Sequence, residues 1–139
     1  MKENTIYDFI KKIELFNGLS SEELLVLSQN IKEKTFQENT FLFYENDSRK
    51  YIYIIFNGEV ELFKKTPFGE EKRLAIFSKQ DFLGEGSLTE KSPHSTNARA
   101  MLITTTLVLD ISFFNKNGTI AVKVLSNIAR VITRRMRHA

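Results

Sequence analysis

A short glycine-rich corner is the part of the sequence best suited to chemistry. An apolar run ending at Leu83 leads directly into Gly84-Glu85-Gly86-Ser87-Leu88. Small residues let the backbone approach an anion closely, and backbone N–H groups at the start of a following helix can donate hydrogen bonds to it. The corner therefore favours an anion-binding loop, while the two glycines also fit an ordinary turn and Glu85 also fits a solvated carboxylate.

Several other kinds of chemistry are excluded by residue types. The chain has no cysteine and two histidines, His94 and His138. Disulfides, thiolate metal sites and a cysteine nucleophile are therefore absent, and a structural zinc site would lack ligands. The carboxylates are scattered, and no nucleophile–base pair can be named. We therefore expect no enzyme activity, no metal site and no cofactor.

Length and charge distribution point to one domain with a basic end. The 139 residues fit a single domain, 1–139, with 42% hydrophobic and 27% charged residues. No apolar segment is long enough for a signal peptide or a membrane span, so we expect a cytoplasmic protein. The net charge of +3 conceals an asymmetry, because no acidic residue follows Asp110 while six basic residues do. The basic character belongs to the C-terminal segment.

Helical periodicity appears at both ends of the chain. Apolar residues recur at helical spacing in 5–15, and Asn17-Gly18 interrupts the pattern. Ser20 is a suitable N-cap for a second helix that reaches about Ile31. A long helix follows position 118, with Thr119 as its expected N-cap. Its apolar stripe is Ala121, Leu125, Ile128 and Ile132, with Val124, Val131 and Met136 beside it.

The segment between these helices has the residue pattern of a β-sandwich or barrel. Short β-rich runs alternate with turn residues every 8–12 residues. Asn57-Gly58 predicts a hairpin with both turn residues at positive φ, and 66–69 and 45–48 predict two further turns. The runs lie at about 33–36, 40–44, 51–56, 59–65, 71–77, 82–84, 96–102 and 105–111. The predicted fold is thus mainly β with flanking helices: two N-terminal helices in 1–31, a β-roll in 32–111, and one long basic helix in 112–139.

These motifs, in this order, resemble the cyclic nucleotide-binding domain family. LFNGLSSEEL at 15–24 is similar to the entry into that fold, and YIYIIFNGEVELF at 51–63 is similar to its central hairpin. DFLGEGSLTEKSPHSTNARA at 81–100 resembles the phosphate-binding cassette, here taken as 82–100. The resemblance covers about residues 10–135 and implies a jelly-roll-like double-stranded β-helix.

The resemblance also implies roles for individual residues. Glu85 corresponds to the glutamate that accepts a hydrogen bond from the ribose 2′-hydroxyl. Gly86, Ser87 and Leu88 correspond to the short helix whose amides face the cyclic phosphate.

The closing stretch of the cassette departs from the family pattern. His94 stands where the family has a phosphate-neutralising arginine, and Asn97 replaces a hydroxyl residue. Loss of a bidentate charged contact would cost about 2–4 kcal/mol. His94 has three interpretations: a phosphate contact, a pH-sensitive gate or an exposed loop residue. On a strand, Arg99 would share a face with Asn97 and would compensate for part of the lost charge. The candidate ligand-binding set is Gly84, Glu85, Gly86, Ser87, Leu88, His94, Ser95, Asn97 and Arg99.

The sequence is compatible with three functional hypotheses. In the first, cAMP or cGMP binds the cassette and the signal passes through the C-terminal helix. In the second, the fold persists without ligand and serves as an interaction or dimerisation module, with the C-terminal apolar stripe either packing on the roll or pairing with a second copy. In the third, the basic helix binds nucleic acid or an acidic partner. No helix-turn-helix follows in the sequence, so sequence-specific DNA binding is not expected.

Overall fold

The computed structural model describes residues 1–137, so His138 lies outside the described residues. Two compact units are present. One is the continuous segment Lys32–Val108, and the other combines Met1–Ile31 with the segment from Leu109 onward. The β-rich segment of the sequence and the segments with helical periodicity therefore lie in separate units. The single-domain organisation stays a prediction.

Eight antiparallel strands within residues 1–137 form two four-stranded sheets. The strands are β1 (Lys32–Phe36), β2 (Phe41–Phe43), β3 (Tyr51–Asn57), β4 (Val60–Lys65), β5 (Glu71–Phe77), β6 (Phe82–Leu83), β7 (Asn97–Ala100) and β8 (Thr104–Asp110). One sheet has the order β1-β8-β3-β6 and the other β2-β7-β4-β5. Two Greek-key sheets of this kind make a jelly roll, and the predicted β-roll fold is confirmed.

The core of the β unit comes from side chains that alternate inward along the strands. Ala98 and Ala100 of β7 are fully buried, whereas Asn97 and Arg99 point to the other face of that strand. The small alanines leave room for rings from neighbouring strands. The cluster consists of Phe36, Leu42, Phe43, Tyr53, Ile55, Val60, Leu83, Ala98 and Ala100.

The predicted hairpin at Asn57-Gly58 is wrong. β3 and β4 lie in different sheets, so this dipeptide forms a corner between sheets. Gly58 has φ +118°, whereas Asn57 does not have a positive φ. The corner is fixed by Thr104, whose hydroxyl accepts from the Glu59 N–H (3.2 Å) and leaves no space for a side chain on Gly58. The Asn57-Gly58 signal is local and indicates only a change of chain direction. The contact with Thr104, which is distant in the sequence, determines which sheet the chain enters.

The other two predicted turns are confirmed. The chain reverses between β4 and β5 at 66–69, where the Gly69 N–H donates to the Thr66 carbonyl (2.9 Å). In the turn at 45–48, Asn46 takes the left-handed conformation with φ 75°, which asparagine tolerates better than most residues. The Asp47 carboxylate accepts from the Tyr44 N–H (2.9 Å) and closes this turn.

The helical unit contains α1 (Glu3–Ile10), α2 (Ser21–Asn30), α4 (Gly118–Arg137) and two short 3₁₀ helices at Glu14–Phe16 and Ile111–Lys116. Ser20 caps α2 as predicted. Its hydroxyl accepts from the Glu23 N–H (3.1 Å), and the Glu23 carboxylate accepts from the Ser20 N–H (2.9 Å). This reciprocal capping box satisfies two amides that the helix itself leaves unpaired.

The two faces of α4 differ from the predicted stripe. Its buried side chains are Ile120, Val124, Asn127, Ile128 and Val131. Leu125 and Ile132, which the sequence analysis assigned to the same face as Ile128, are each 38% exposed. The helix also begins at Gly118, so the expectation that Thr119 is the N-cap is wrong. Within residues 1–137, no helix is both long and apolar enough to cross a bilayer.

Candidate functional site

The glycine-rich corner is set by the strand that precedes it. β6 pairs with β3, with Leu83 opposite Tyr53, and the chain then turns at Gly84 with φ +84°. A side chain on Gly84 would collide with the Tyr51 carbonyl oxygen. A four-residue helix, α3 (Gly86–Thr89), follows. Glycine is required at this position both by its backbone conformation and by its close approach to β3.

Two of the three amides that the resemblance assigns to phosphate are used within the corner itself. The Ser87 N–H donates to the Gly84 carbonyl and the Leu88 N–H to the Glu85 carbonyl, both at 3.0 Å. Among the described residues, no hydrogen bond is formed by the Gly86 N–H. The buried Ser87 hydroxyl donates to the Tyr51 carbonyl (3.3 Å), which ties α3 to β3. Ser87 therefore stabilises the corner.

Glu85 and Ser95 are accessible to solvent. The Glu85 side chain is half-buried at the N-terminal end of α3, and its carboxylate has no hydrogen-bond or ion-pair partner within residues 1–137. Ser95 is exposed, and Leu88 is half-buried. A carboxylate that the fold leaves without a partner beside a glycine corner is available to accept hydrogen bonds from a hydroxyl group.

A cavity of about 280 Å³ adjoins this corner. Its volume is slightly below the range of about 300–1,000 Å³ for small-molecule sites. Tyr51 and Tyr53 belong to its wall, and the Tyr51 carbonyl oxygen and the Tyr53 ring also flank the position that a side chain on Gly84 would take, so the cavity and the corner are adjacent. The lining residues are Leu42, Phe43, Asp47, Ser48, Lys50, Tyr51, Tyr53 and His94.

Tyr53 has a structural role in this wall. Its hydroxyl donates to the Leu42 carbonyl (3.2 Å), and its ring packs edge-on against Phe36. Burial, followed by the nearby Tyr51 and Asp47, raises the pKa of Tyr53 to about 12. The phenol therefore stays protonated at neutral pH and keeps its hydrogen bond.

His94 is buried, so the interpretation of this residue as an exposed loop histidine is wrong. Its ring stacks on Phe43 with centroids 3.7 Å apart, and 5% of the residue is exposed. Its backbone pairs with the 45–48 turn, because the His94 N–H donates to the Asp47 carbonyl (2.9 Å) and the Asn46 N–H to the His94 carbonyl (2.8 Å). Burial, with a further contribution from the Arg49 charge, lowers the pKa of His94 to about 4, against a weaker opposing effect of Asp47. At neutral pH His94 is an uncharged ring.

Asn97 and Arg99 share a face of β7, as expected, but the structure engages both elsewhere. The Asn97 amide oxygen accepts from the Glu45 N–H (2.8 Å) and so holds the 45–48 turn. The Arg99 guanidinium donates to Glu61 (2.6 Å) and Glu71 (3.0 Å).

The surroundings of Arg99 place its charge outside the cavity. It lies over the Phe63 ring at 4.3 Å. The pKa of Arg99 is raised by its hydrogen bonds to Glu71 and Glu61. Arg99 lies on the opposite face of β7 from Ala98 and is not among the cavity-lining residues.

Arg49 is the site residue that the sequence analysis missed. Its guanidinium lies directly over Gly86, where an added side chain would collide with Nη1 and Cζ. Nε donates to the Ser92 carbonyl (2.9 Å), and Nη2 lies 3.6 Å from a Glu90 carboxylate oxygen. In the sequence, an arginine after a turn is indistinguishable from a solvated loop cation. No three histidine, aspartate or glutamate side chains within the described part of the chain come together as a possible metal site.

Comparison with known proteins agrees with this geometry. Residues 33–117 match the model of the cyclic nucleotide-binding domain. The cyclic AMP receptor protein of Thermus thermophilus is 28% identical over 134 residues, which cover 94% of this chain and 60% of that protein. A CRP-like cAMP-activated global transcriptional regulator of Mycobacterium tuberculosis is 22% identical over 94% of this chain and 58% of its own length. The chain thus spans about 60% of the length of these curated relatives.

Solved structures show the same fold. The N-terminal domain of a transcriptional regulator from Streptomyces coelicolor aligns with a TM-score of 0.78 and 25% identity over 94% of both chains. A mutant regulatory subunit of a cAMP-independent protein kinase A from Trypanosoma brucei, bound to cAMP, aligns with a TM-score of 0.83 and 22% identity over 93% of this chain and 46% of that one. Because the family model matches more than half of the sequence and the roll carries the glycine corner in its expected place, this chain belongs to the cyclic nucleotide-binding domain family.

Proposed function

We propose that this chain is a regulatory sensor that binds cAMP or cGMP at the corner Gly84–Leu88 and the adjoining cavity. The observation that carries the proposal is the unpartnered Glu85 carboxylate beside a corner whose walls, Tyr51 and Tyr53, also line the cavity. The names of the T. thermophilus and M. tuberculosis relatives, which refer to cAMP, support the same ligand class. We expect the protein to be cytoplasmic and to have no enzyme activity.

The Glu85 carboxylate suits the recognition of a ribose. A carboxylate that accepts from a ribose hydroxyl forms a charge-assisted hydrogen bond, which is stronger than a bond between neutral groups. The uncharged His94 offers a flat ring and no positive charge. Recognition of the sugar by Glu85 and of the base by the aromatic wall therefore provides a large share of the binding free energy.

Isothermal titration with cAMP and with cGMP tests the proposal directly. We expect saturable heat and an increased melting temperature with at least one of the two nucleotides. Glu85→Gln should weaken binding about 10- to 100-fold, because it removes the charge from the ribose contact. The matched control is Glu38→Gln, which removes an exposed carboxylate from the segment between β1 and β2. Absence of heat and of a thermal shift at millimolar cAMP and cGMP would refute nucleotide binding.

The alternative is a ligand-free interaction module, which the uncharged His94 favours. On this hypothesis the fold keeps the corner for structural reasons and the cavity holds no nucleotide. His94→Arg introduces the charge that the family pattern has at this position. If the native chain does not bind cAMP and this single change creates binding, the module hypothesis is correct for the native chain.

We also propose that α4 pairs with the α4 of a second copy and that ligand binding is relayed to this helix. The exposed residues Val122, Leu125, Ala129, Ile132 and Met136 follow one another at intervals of three and four positions. This spacing is that of a coiled-coil seam. A ligand controls such pairing only if its affinity differs between the two arrangements of the helix. Non-specific binding of the basic end of α4 to nucleic acid is the weaker hypothesis, and it predicts a steep salt dependence.

A further inference from the structure

The cassette contains an arginine that comes from a different part of the chain than the family pattern predicts. Arg49 follows the 45–48 turn, between the cavity-lining residues Ser48 and Lys50. Its guanidinium extends over α3 and occupies the space that any side chain at Gly86 would need. The absence of a side chain at Gly86 thus makes room for the Arg49 guanidinium.

The guanidinium is held in a defined orientation and largely withdrawn from water. Its side chain is 13% exposed. Nε is fixed by the Ser92 carbonyl (2.9 Å), whereas Nη1 and Nη2 form no hydrogen bond with any part of residues 1–137. Arginine offers its donors in a rigid planar fork, so fixing Nε also fixes the direction of the remaining donors. Four N–H donors are therefore pre-oriented and available.

The charge of Arg49 acts on the cavity as well as on the corner. It contributes to the lowered pKa of His94, which lines the cavity. Its nearest opposite charge is the Glu90 carboxylate at 3.6 Å, which is too far for a hydrogen bond and which belongs to a side chain that is 58% exposed. The same Glu90 oxygen accepts a hydrogen bond from the Ser92 hydroxyl (2.9 Å), and an exposed carboxylate at 3.6 Å is a weak counterion for Arg49. An anion with two oxygen atoms would form a stronger, bidentate pair with the same fork.

We propose that Arg49 is the phosphate-binding cation of this cassette and replaces the arginine that the family pattern has at the position of His94. The inference rests on the proposed function, because it assigns one contact within the same nucleotide site. In the bound state Nη1 and Nη2 donate to the two exocyclic oxygens of the cyclic phosphate, and Glu90 gives way. His94 then serves as a flat neutral ring that supports the 45–48 turn beside Arg49.

The test compares a charged ligand with its uncharged counterpart. Affinities for cAMP and for adenosine are measured by titration calorimetry on the native chain, on Arg49→Gln and on Lys72→Gln, which removes one exposed cation of β5 as a matched control. We expect Arg49→Gln to weaken cAMP binding about 10- to 100-fold, to leave adenosine binding unchanged, and Lys72→Gln to change neither.

A second variant distinguishes a phosphate contact from a merely structural tie between the turn and α3. In the double variant Arg49→Gln/His94→Arg, a guanidinium returns at the family's position, and we expect cAMP affinity to recover at least tenfold relative to Arg49→Gln. Equal losses of cAMP and adenosine affinity on Arg49→Gln would overturn the inference, and so would unchanged cAMP affinity. Both of these results would leave the proposed function standing, whereas a native chain that binds no nucleotide would overturn both.

Discussion

At the scale of single residues, burial decides which groups can take part in binding. His94 contacts the 45–48 turn and Arg49 directly follows it, yet one is a buried neutral ring and the other a charged fork whose two Nη groups form no hydrogen bond within residues 1–137. A comparison with the family pattern alone identifies a lost arginine at position 94. The structure adds that a positive charge is nevertheless present, on a residue 45 positions earlier in the sequence.

The buried His94 predicts a specific dependence of stability on pH. Its pKa is about 4 in the folded state and near its ordinary value of 6.5 in the unfolded chain. Because the folded-state pKa is lowered, the contribution of the neutral ring is fully present above pH 6.5 and is lost as the pH falls towards 4. We expect a loss of about 2–3 kcal/mol in the free energy of unfolding across this window.

Urea unfolding of the native chain and of His94→Phe between pH 4 and 6.5 measures this contribution. The phenyl ring keeps the stacking on Phe43 and does not titrate, so the variant reports the pH dependence of all other groups. These include the carboxylates whose pKa values are lowered: Glu14, Glu23, Glu61 and Glu71. The difference between the two proteins isolates His94. Parallel stability curves would show that the histidine is not buried as described.

A comparison of Gly84 with Gly69 distinguishes the energetic cost of backbone strain from the cost of steric collision. Both have nearly the same φ, +84° and +83°, but only Gly84 has an atom, the Tyr51 carbonyl oxygen, in the place of a side chain. We expect Gly69→Ala to lower the free energy of unfolding by about 1–2 kcal/mol and Gly84→Ala to lower it further. Chemical denaturation of both variants measures the difference. Equal losses of stability in the two variants would mean that the corner can move away from β3 without an energetic cost.

At the scale of elements, the helical unit depends on one buried amide. The Asn127 side chain on α4 donates to the carbonyls of Leu15 and Asn17, both at 2.8 Å, and its oxygen accepts from Arg130 (3.0 Å). It thereby joins α4 to the 3₁₀ helix Glu14–Phe16 and to the residue that follows it. The Glu14 carboxylate also binds the Arg134 guanidinium, and its pKa is lowered mainly by that hydrogen bond.

Replacing the amide by an apolar side chain should destabilise this unit. Asn127→Leu keeps the branched shape of the side chain but leaves two carbonyl groups without their donor, and each loss is worth about 1–3 kcal/mol. We expect the midpoint of urea unfolding to decrease accordingly, while the exposed neighbouring substitution Ser126→Ala should leave it nearly unchanged. A stability for Asn127→Leu equal to that of the native chain would contradict the structural role of the amide.

Much of the secondary structure could be predicted from the sequence, because the signals are local. All eight β-rich runs correspond to strands, with boundaries within about two residues, and the Ser20 cap needs only its own helix. The corner at Gly58 could not be predicted in the same way, since Thr104 decides its path. Arg49 escaped prediction for the same reason. Its place over Gly86 depends on the approach of two loops, and no spacing in the sequence encodes that approach.

At the scale of the whole molecule, the exposed seam of α4 predicts association of two copies. Four large apolar side chains of one helix are between 38% and 74% exposed, and they recur at coiled-coil spacing: Val122, Leu125, Ile132 and Met136. Burying them in a dimer removes apolar surface from water, which is favourable at about 25 cal/mol per Å². The last turn carries three arginines, so we expect pairing to strengthen with salt.

Sedimentation equilibrium of the native chain and of Ile132→Glu tests this association. A charge in the seam should weaken the dimer at least tenfold, whereas Thr133→Glu, one position away on an exposed face, should have a much smaller effect. A native chain that remains monomeric at concentrations near 1 mM would rule out pairing through α4.

The pairing of β1 with β8 has a consequence for how the protein is made. Lys32 lies opposite Val108 and Thr35 opposite Thr105, so the first strand meets its hydrogen-bonding partner some 70 residues later. At translation rates of about 5–20 residues per second, the first strand waits roughly 4–14 s on the ribosome before its partner is synthesised. During that interval its edge is unprotected. The charged, exposed side chains of Lys32, Glu33 and Lys34 oppose aggregation of the nascent chain until the roll can close.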